Sequence, residues 1–386
     1  MKKGWYRTTL GEVCAFDKVQ GIHRGLPYVG LEHIESNTGR FIGSQDVQSV
    51  KSSTFRFSSE HVLYGRLRPY LNKAFAPDFE GHCSTEIFPI KPSSVVSREY
   101  LLYWLLADET MDRINETCTG ARMPRADMDE VLDFDFPLPP LFEQQRIVGV
   151  LDEAFDGLAI ATANAERNLR NARALFESHL QSVFTQRGEG WVEKRLAEVS
   201  QDFGRGKSKH RPRNEPKLYN GPYPFIQTGD ISNSDHWLLD YTQTYSEFGL
   251  AQSRLWPKGT ICIAIVGATV GETAILNFEA CFPDSVIGIV VNEQIADNEY
   301  VEFLLQAFKT LLKEKGKGTA RDNINLGTFE NQMFPFPSLK QQKEIAATFN
   351  ALRANIQRLE AIYPQKLVAL RELKKSLLHQ AFSGKL

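Results

Sequence analysis

The sequence predicts a mixed α/β (α+β) chain: two α/β domains, each closed by a long helix. The helices are expected to pair antiparallel as in a coiled coil, giving a pseudo-two-fold internal repeat. Three observations carry this. "FPLPPLFEQQRI" at 136–147 returns as "FPFPSLKQQKEI" at 334–345. Behind each copy runs a stripe of apolar residues with the helical period. Ahead of each copy, short apolar runs alternate with Gly-, Ser- and Pro-rich stretches, the pattern of strands and loops.

The repeat is checked by subtraction. Pro335 less Pro137, Pro337 less Pro139, Leu339 less Leu141, Gln342 less Gln144 and Ile345 less Ile147 all give 198. The same offset, without a gap, carries Leu151 to Phe349, Leu158 to Ile356, Leu169 to Leu367, Leu180 to Leu378 and Phe184 to Phe382. Upstream the match loosens: "WYRTTLGEV" (5–13) against "WVEKRLAEV" (191–199), "PYVGLEHI" (27–34) against "PFIQTGDI" (224–231), and "EYLLYWLL" (99–106) against "EYVEFLLQ" (299–306). These joints place the domains at 1–142 and 188–340, with the long helices at 143–187 and 341–386.

The elements follow in order. "STEIFPI" (84–90), "GTICIAIVG" (259–267) and "SVIGIVV" (285–291) read as buried strands, and 98–114 and 298–315 as helices. In the first long helix, Ile147, Leu151, Leu158, Leu169, Phe176 and Leu180 are separated by steps of three and four or by sums of such steps. In the second, Ile345, Phe349, Ile356, Leu367, Leu373 and Leu377 are separated in the same way. Each helix is roughly 60 Å long at about 1.5 Å per residue. So narrow a stripe on so long a helix needs a partner, and the other copy supplies one. Pro364 lies inside the second stripe and predicts a kink or a break.

Composition narrows the function. No apolar run is long enough to span a bilayer, and the lysines of "MKKGWYRTTL" precede no apolar core, so neither a membrane span nor a signal peptide is expected. Five cysteines without a CxxC pair fit a reducing cytoplasm rather than a disulfide framework or zinc ribbon. A formal net charge of −2 confines any nucleic-acid contact to local basic patches.

Catalytic motifs fail on inspection. "FGRGKS" (203–208) lacks the P-loop glycine, because position 201 is Gln201; no nuclease lysine follows Glu293; and the histidines do not fall at metal-ligand spacing. What remains is cationic. "GRGKSKHRPRNEPK" (204–217) holds Arg205, Lys207, Lys209, Arg211 and Arg213, either a solvated loop or a clamp on phosphates. Loops ahead of each junction carry Arg122 and Arg125 in the first copy and Lys315, Lys317 and Arg321 in the second, where a helix cap is the competing reading. "GRLRPYLNK" (65–73) adds Arg66, Arg68 and Lys73, while its counterpart "AIVGATVGE" has no cation, so the two domains present different surfaces. Trp237 and Trp256 fit core packing better than base stacking.

The two P-x-P-x-L-x-x-Q junctions (Pro137–Gln144 and Pro335–Gln342), the helices behind them and the W-x-x-x-x-L-x-E-V openings at Trp5 and Trp191 resemble the specificity subunit of type I restriction-modification systems over essentially the whole chain. The family's usual junction acid is Glu143 in the first copy, whereas the second copy has Gln341. The resemblance implies a non-catalytic subunit in which each variable domain reads one half of a split, asymmetric double-stranded DNA site. The helices would set the spacing and dock two modification (methyltransferase) subunits, and restriction/translocase subunits would join. No cofactor is expected in this chain; S-adenosylmethionine and ATP/Mg would belong to the partners. A coiled-coil scaffold without DNA readout explains the stripes but not two divergent, cation-bearing domains. A self-contained nuclease or methyltransferase lacks its motifs.

Overall fold

The computed structural model describes residues 4–47, 50–210, 212–316 and 326–386, with side chains 310–316 and 328 outside that description. The chain divides into two compact units, residues 1–166 with 363–386, and residues 167–362. Each therefore takes its body from one repeat and a helix end from the other.

In the first unit a four-stranded antiparallel sheet runs in the order Cys14–Phe16, Ile87–Pro92, Val62–Gly65, Ala74–Phe75. A second four-stranded sheet runs Gln20–Gly21, Thr54–Phe57, Gly81–Cys83, Tyr28–Val29, its last pair parallel. Tyr6–Thr9 pairs with Asp135–Leu138 and brings the start of the domain to its junction. The core takes Tyr64, Tyr100, Trp104 and Phe136, then Ile147 and Leu151 of the first long helix, and Leu378 and Ala381 of the second. Where a single helix was expected over 98–114, there are two, Arg98–Leu106 and Asp108–Glu116. Ala107 between them is extended, and the Leu106 carbonyl accepts from Asn72 Nδ2 at 3.1 Å.

The second unit repeats this plan. Ser200–Arg205, Val286–Val291, Ile261–Ala264 and Thr273–Leu276 take the same order, and Trp237–Leu238 adds a parallel fifth strand at the edge. Val192–Arg195 pairs with Met333–Phe336. The helix Asn298–Gly316 is unbroken. Trp256 is fully buried against Phe282, with ring centroids 4.9 Å apart, in agreement with the core-packing reading.

The duplicated glutamine has a structural task. Gln144 is fully buried; its amide donates to the carbonyls of Pro139 and Val95, both at 2.8 Å, and its Oε1 accepts from Ser97 N at 2.7 Å. Gln342 repeats the set on Pro337 at 2.9 Å, Ile295 at 3.5 Å and Asp297 N at 2.9 Å. One side chain thus ties the start of a long helix to its own proline turn and to the loop entering the domain helix. Tyr100 and Tyr300 complete the joint by donating to Pro137 O and Pro335 O. A buried backbone group left unpaired costs about 1–3 kcal/mol, so the amide's placement matters in both copies.

The long helices span Leu141–Gln186 and Leu339–Ser383, each starting two residues before the boundary read from the sequence. Pro364 lies within the second, which is not broken there. The proline removes one backbone bond, while apolar contacts on either side of it hold the rest of the helix. Within the first unit the helices run antiparallel: Arg146 Nη2 donates to Leu386 O at 2.8 Å, and Lys374 sits 4.9 Å from the Phe155 ring. Within the second, Phe184 stacks on Phe349, and Arg173 Nε donates to Glu360 Oε1 at 2.7 Å. Ile147, Leu151 and Phe349 are buried; Leu158, Leu169, Phe176, Ile345, Ile356, Leu367 and Leu377 are half-buried. Leu373 is exposed, and Lys374 turns inward in its place.

Candidate nucleic-acid interface

In the first unit, two loops distant in sequence are joined by backbone bonds. Arg68 N donates to Pro124 O at 2.8 Å and Ala126 N to Arg66 O at 2.9 Å. This collects Arg66, Arg68, Arg122 and Arg125 on one patch, but not as equals. Glu86 accepts from Arg66 Nε at 3.1 Å, and from Arg125 Nε and Nη2 at 2.9 and 2.8 Å. Burial raises the Glu86 pKa, and the two guanidinium groups outweigh it, holding the carboxyl below its usual range. Arg66 also lies over the Phe88 ring at 5.2 Å. Lys73 is turned to the Leu31 carbonyl at 2.6 Å. Arg68 and Arg122 are exposed, and among the described residues neither has an ion pair. Tyr70 and Met123, 49% and 45% exposed, lie on the same two loops.

In the second unit the basic loop is anchored. Gly206 N donates to Val286 O at 2.9 Å, and a Cβ at this glycine would stand 2.3 Å from Phe282 O, so the close approach requires glycine. Lys207 N donates to Phe282 O at 3.1 Å and its carbonyl accepts from Ser253 Oγ at 2.8 Å. His210 N donates to Gln252 Oε1 at 2.9 Å. Arg213 is drawn to Asp284 at 2.8 Å. Arg205, Lys207 and Lys209 are left exposed on a fixed track. Arg211, Lys317 and Arg321 lie outside the described residues, as does the side chain of Lys315 near the end of its helix.

Sequence reasoning missed Glu86 and Asp284, which bind three of the candidate arginines. Glu86 stands 20 residues from Arg66 and 39 from Arg125, a pairing that only the tertiary fold creates. Among the described residues no cluster of His, Cys, Asp and Glu is placed to hold a metal. All five cysteines are free. Burial raises every thiol, Cys14 to about 12, which leaves them weak nucleophiles. No helix among the described residues is long and apolar enough to cross a membrane.

The structure is a duplicated α/β frame with an exposed cationic loop in each copy. The chain belongs to the family of the type I restriction modification DNA specificity domain, which matches residues 2–168 and again 188–367. Over 167 residues it is 30% identical to the type I restriction enzyme EcoDI specificity subunit of Escherichia coli, covering 42% of this chain and 36% of that protein. Over 350 residues it is 23% identical to the putative type I restriction enzyme MjaX specificity subunit of Methanocaldococcus jannaschii, covering 85% of this chain and 76% of that one. The fold is similar to a chain in a solved type I R-M system structure (TM-score 0.81, 21% identity, covering 100% of this chain and 99% of that one). It is also similar to the HsdS subunit of Thermoanaerobacter tengcongensis (TM-score 0.72, 21% identity, covering 100% and 98%).

Proposed function

We propose that this chain is the non-catalytic DNA-reading subunit of a type I restriction-modification complex. Each unit reads one half of a split, asymmetric site in double-stranded DNA, and the long helices space the halves and dock two methyltransferase subunits. S-adenosylmethionine chemistry, and ATP-driven translocation where a restriction subunit joins, would then sit in partners. The observation that carries this is the repeat itself. One joint, built on Gln144 and again on Gln342, holds two domains whose exposed cations differ: Arg68 and Arg122 in one, Arg205, Lys207 and Lys209 in the other. A shared frame with unlike charged loops suits a reader of two unlike half-sites, whereas a scaffold has no need of the difference. Cations that neutralise phosphate release counterions and position the protein; groups reaching base edges supply sequence.

The test is methylation mapping in a host expressing this chain with its methyltransferase. One bipartite, asymmetric methylated motif is expected, lost when the chain is omitted. Methyl transfer or cleavage by the purified chain alone, or a methylation pattern indifferent to it, would overturn the reading.

A further inference from the structure

We infer that Arg68 is a DNA-contacting residue of the first unit, kept against the conformational preference of its own backbone. The inference rests on the DNA-reading function proposed above and assigns one residue within it.

Arg68 has φ 52° and ψ 61°, the left-handed region, which penalises any residue with a Cβ. Pro69 follows it, and the residue before a proline is pushed toward extended backbone, so two local rules are broken at once. The fold requires that conformation: Arg68 N donates to Pro124 O at 2.8 Å, and Arg68 O accepts from Leu71 N at 2.9 Å. The second unit makes the same turn at Gly267 (φ 69°), the fourth residue of "AIVGATVGE" as Arg68 is of "GRLRPYLNK". The eighth positions agree as well, with Asn72 (φ 43°) matching Gly271 (φ 82°). Asn72 has a structural reason to stay: it is fully buried and its amide serves the Leu106 carbonyl. No such reason holds Arg68. Its side chain is exposed and, among the described residues, makes no hydrogen bond or ion pair, while Arg66 and Arg125 beside it are occupied by Glu86. Glycine suits the turn and serves the sister copy. A strained residue whose side chain does nothing for the fold points to a task outside it. A guanidinium next to exposed Tyr70 and Arg122 meets phosphate or a guanine edge.

The test compares Arg68→Gly with the parent in the complete complex. Two quantities are expected to move in opposite directions. The melting temperature of the variant chain should rise by about 2–4 °C as the strain is relieved. Affinity for the methylated motif's DNA should fall by about tenfold or more, as when a charge-assisted bond is removed. A salt dependence flattened by about 0.9 would place the contact on phosphate. An unchanged slope with weakened affinity would place it on a base edge, and either supports the inference. Undiminished affinity, or a lowered melting temperature, overturns it. If the parent complex binds no DNA, the function proposed above fails instead, and the two failures are thereby distinguished.

Discussion

The two units differ most where they have least structural need to be alike. Their joints are nearly superimposable in chemistry. Gln144 and Gln342 hold the same three kinds of backbone group, and Tyr100 and Tyr300 the same proline carbonyl. The strands beside those joints pair in one register, Tyr6 with Leu138 and Val192 with Phe336. Away from the joints the copies part. The first unit balances two arginines on Glu86 and exposes a third on a strained turn. The second makes that turn with glycine and carries its cations on a loop pinned beneath Phe282 and Val286. The domain helix diverges as well. Leu102 in the first copy corresponds to Glu302 in the second, fully buried, with His236 Nδ1 at 2.6 Å and Thr273 Oγ1 at 2.7 Å. A duplicated frame constrains what carries the helices and leaves the surfaces free to diverge.

Separating the copies should have the largest effect. Residues 1–187 lack Leu378 and Ala381, which complete the first unit's core. The offset of 198 places Leu180, Val183 and Phe184 at the positions of Leu378, Ala381 and Phe382. A second copy of the fragment therefore holds a replacement for each missing residue, and the fragment is expected to form an isologous dimer. With the methyltransferase it should modify a palindromic site made of the first half-site and its inverse. Sedimentation followed by methylation mapping decides; a stable monomer would mean the units are not interchangeable.

The joint comes next. Gln144→Ala strands Ser97 N and two carbonyls and should cost about 2–4 kcal/mol. Gln342→Ala should cost somewhat less, because its bond to Ile295 O is already 3.5 Å. Chemical denaturation of each full-length variant measures both, and an unaffected variant would show that the two joints are not equivalent.

The buried pair of the second unit has no counterpart in the first, and acid should expose it. Burial raises the Glu302 pKa, but bonds from His236 and Gln306 and the charges of His236 and Arg353 prevail, and the carboxyl lies below its usual range. Its contribution to stability is present above the unfolded carboxylate pKa of about 4.3 and is lost as pH falls through the lower folded value. His236→Ala removes the principal partner and should cost about 3 kcal/mol at neutral pH. With burial then dominant, the Glu302 pKa rises. Its contribution is then fully present only below about 4.3 and is lost as pH increases through the raised folded value. Melting temperatures of parent and variant across acid pH should therefore diverge as pH rises. Parallel curves would show that His236 does not hold the Glu302 charge.

The smallest effect concerns the loop. Lys207→Ala and Lys209→Ala should each flatten the salt dependence of DNA binding by about 0.9 for every phosphate left without its cation. Arg213→Ala, whose charge is met by Asp284, should change it less. Equal effects would mean that Asp284 releases Arg213 on DNA.

The duplication, the two long helices, the strand-rich bodies between them and the family were all legible in the sequence. Those signals are periodic or local: a stripe of Ile147, Leu151 and Leu158, or a proline pair followed by glutamine, is readable without knowing what lies across the fold. Gln144 and Gln342 stood out as marks of the repeat but not as clamps, because the amides they bind across the fold, Ser97 N and Asp297 N, lie 47 and 45 residues upstream. Pro364 was expected to kink or break its helix; the helix is not broken there, since a proline removes only one of its backbone bonds. Which cations face outward was settled by the tertiary structure alone. An arginine's charge follows from its identity, but whether that charge is met by Glu86 or left exposed depends on an acid brought from elsewhere in the chain.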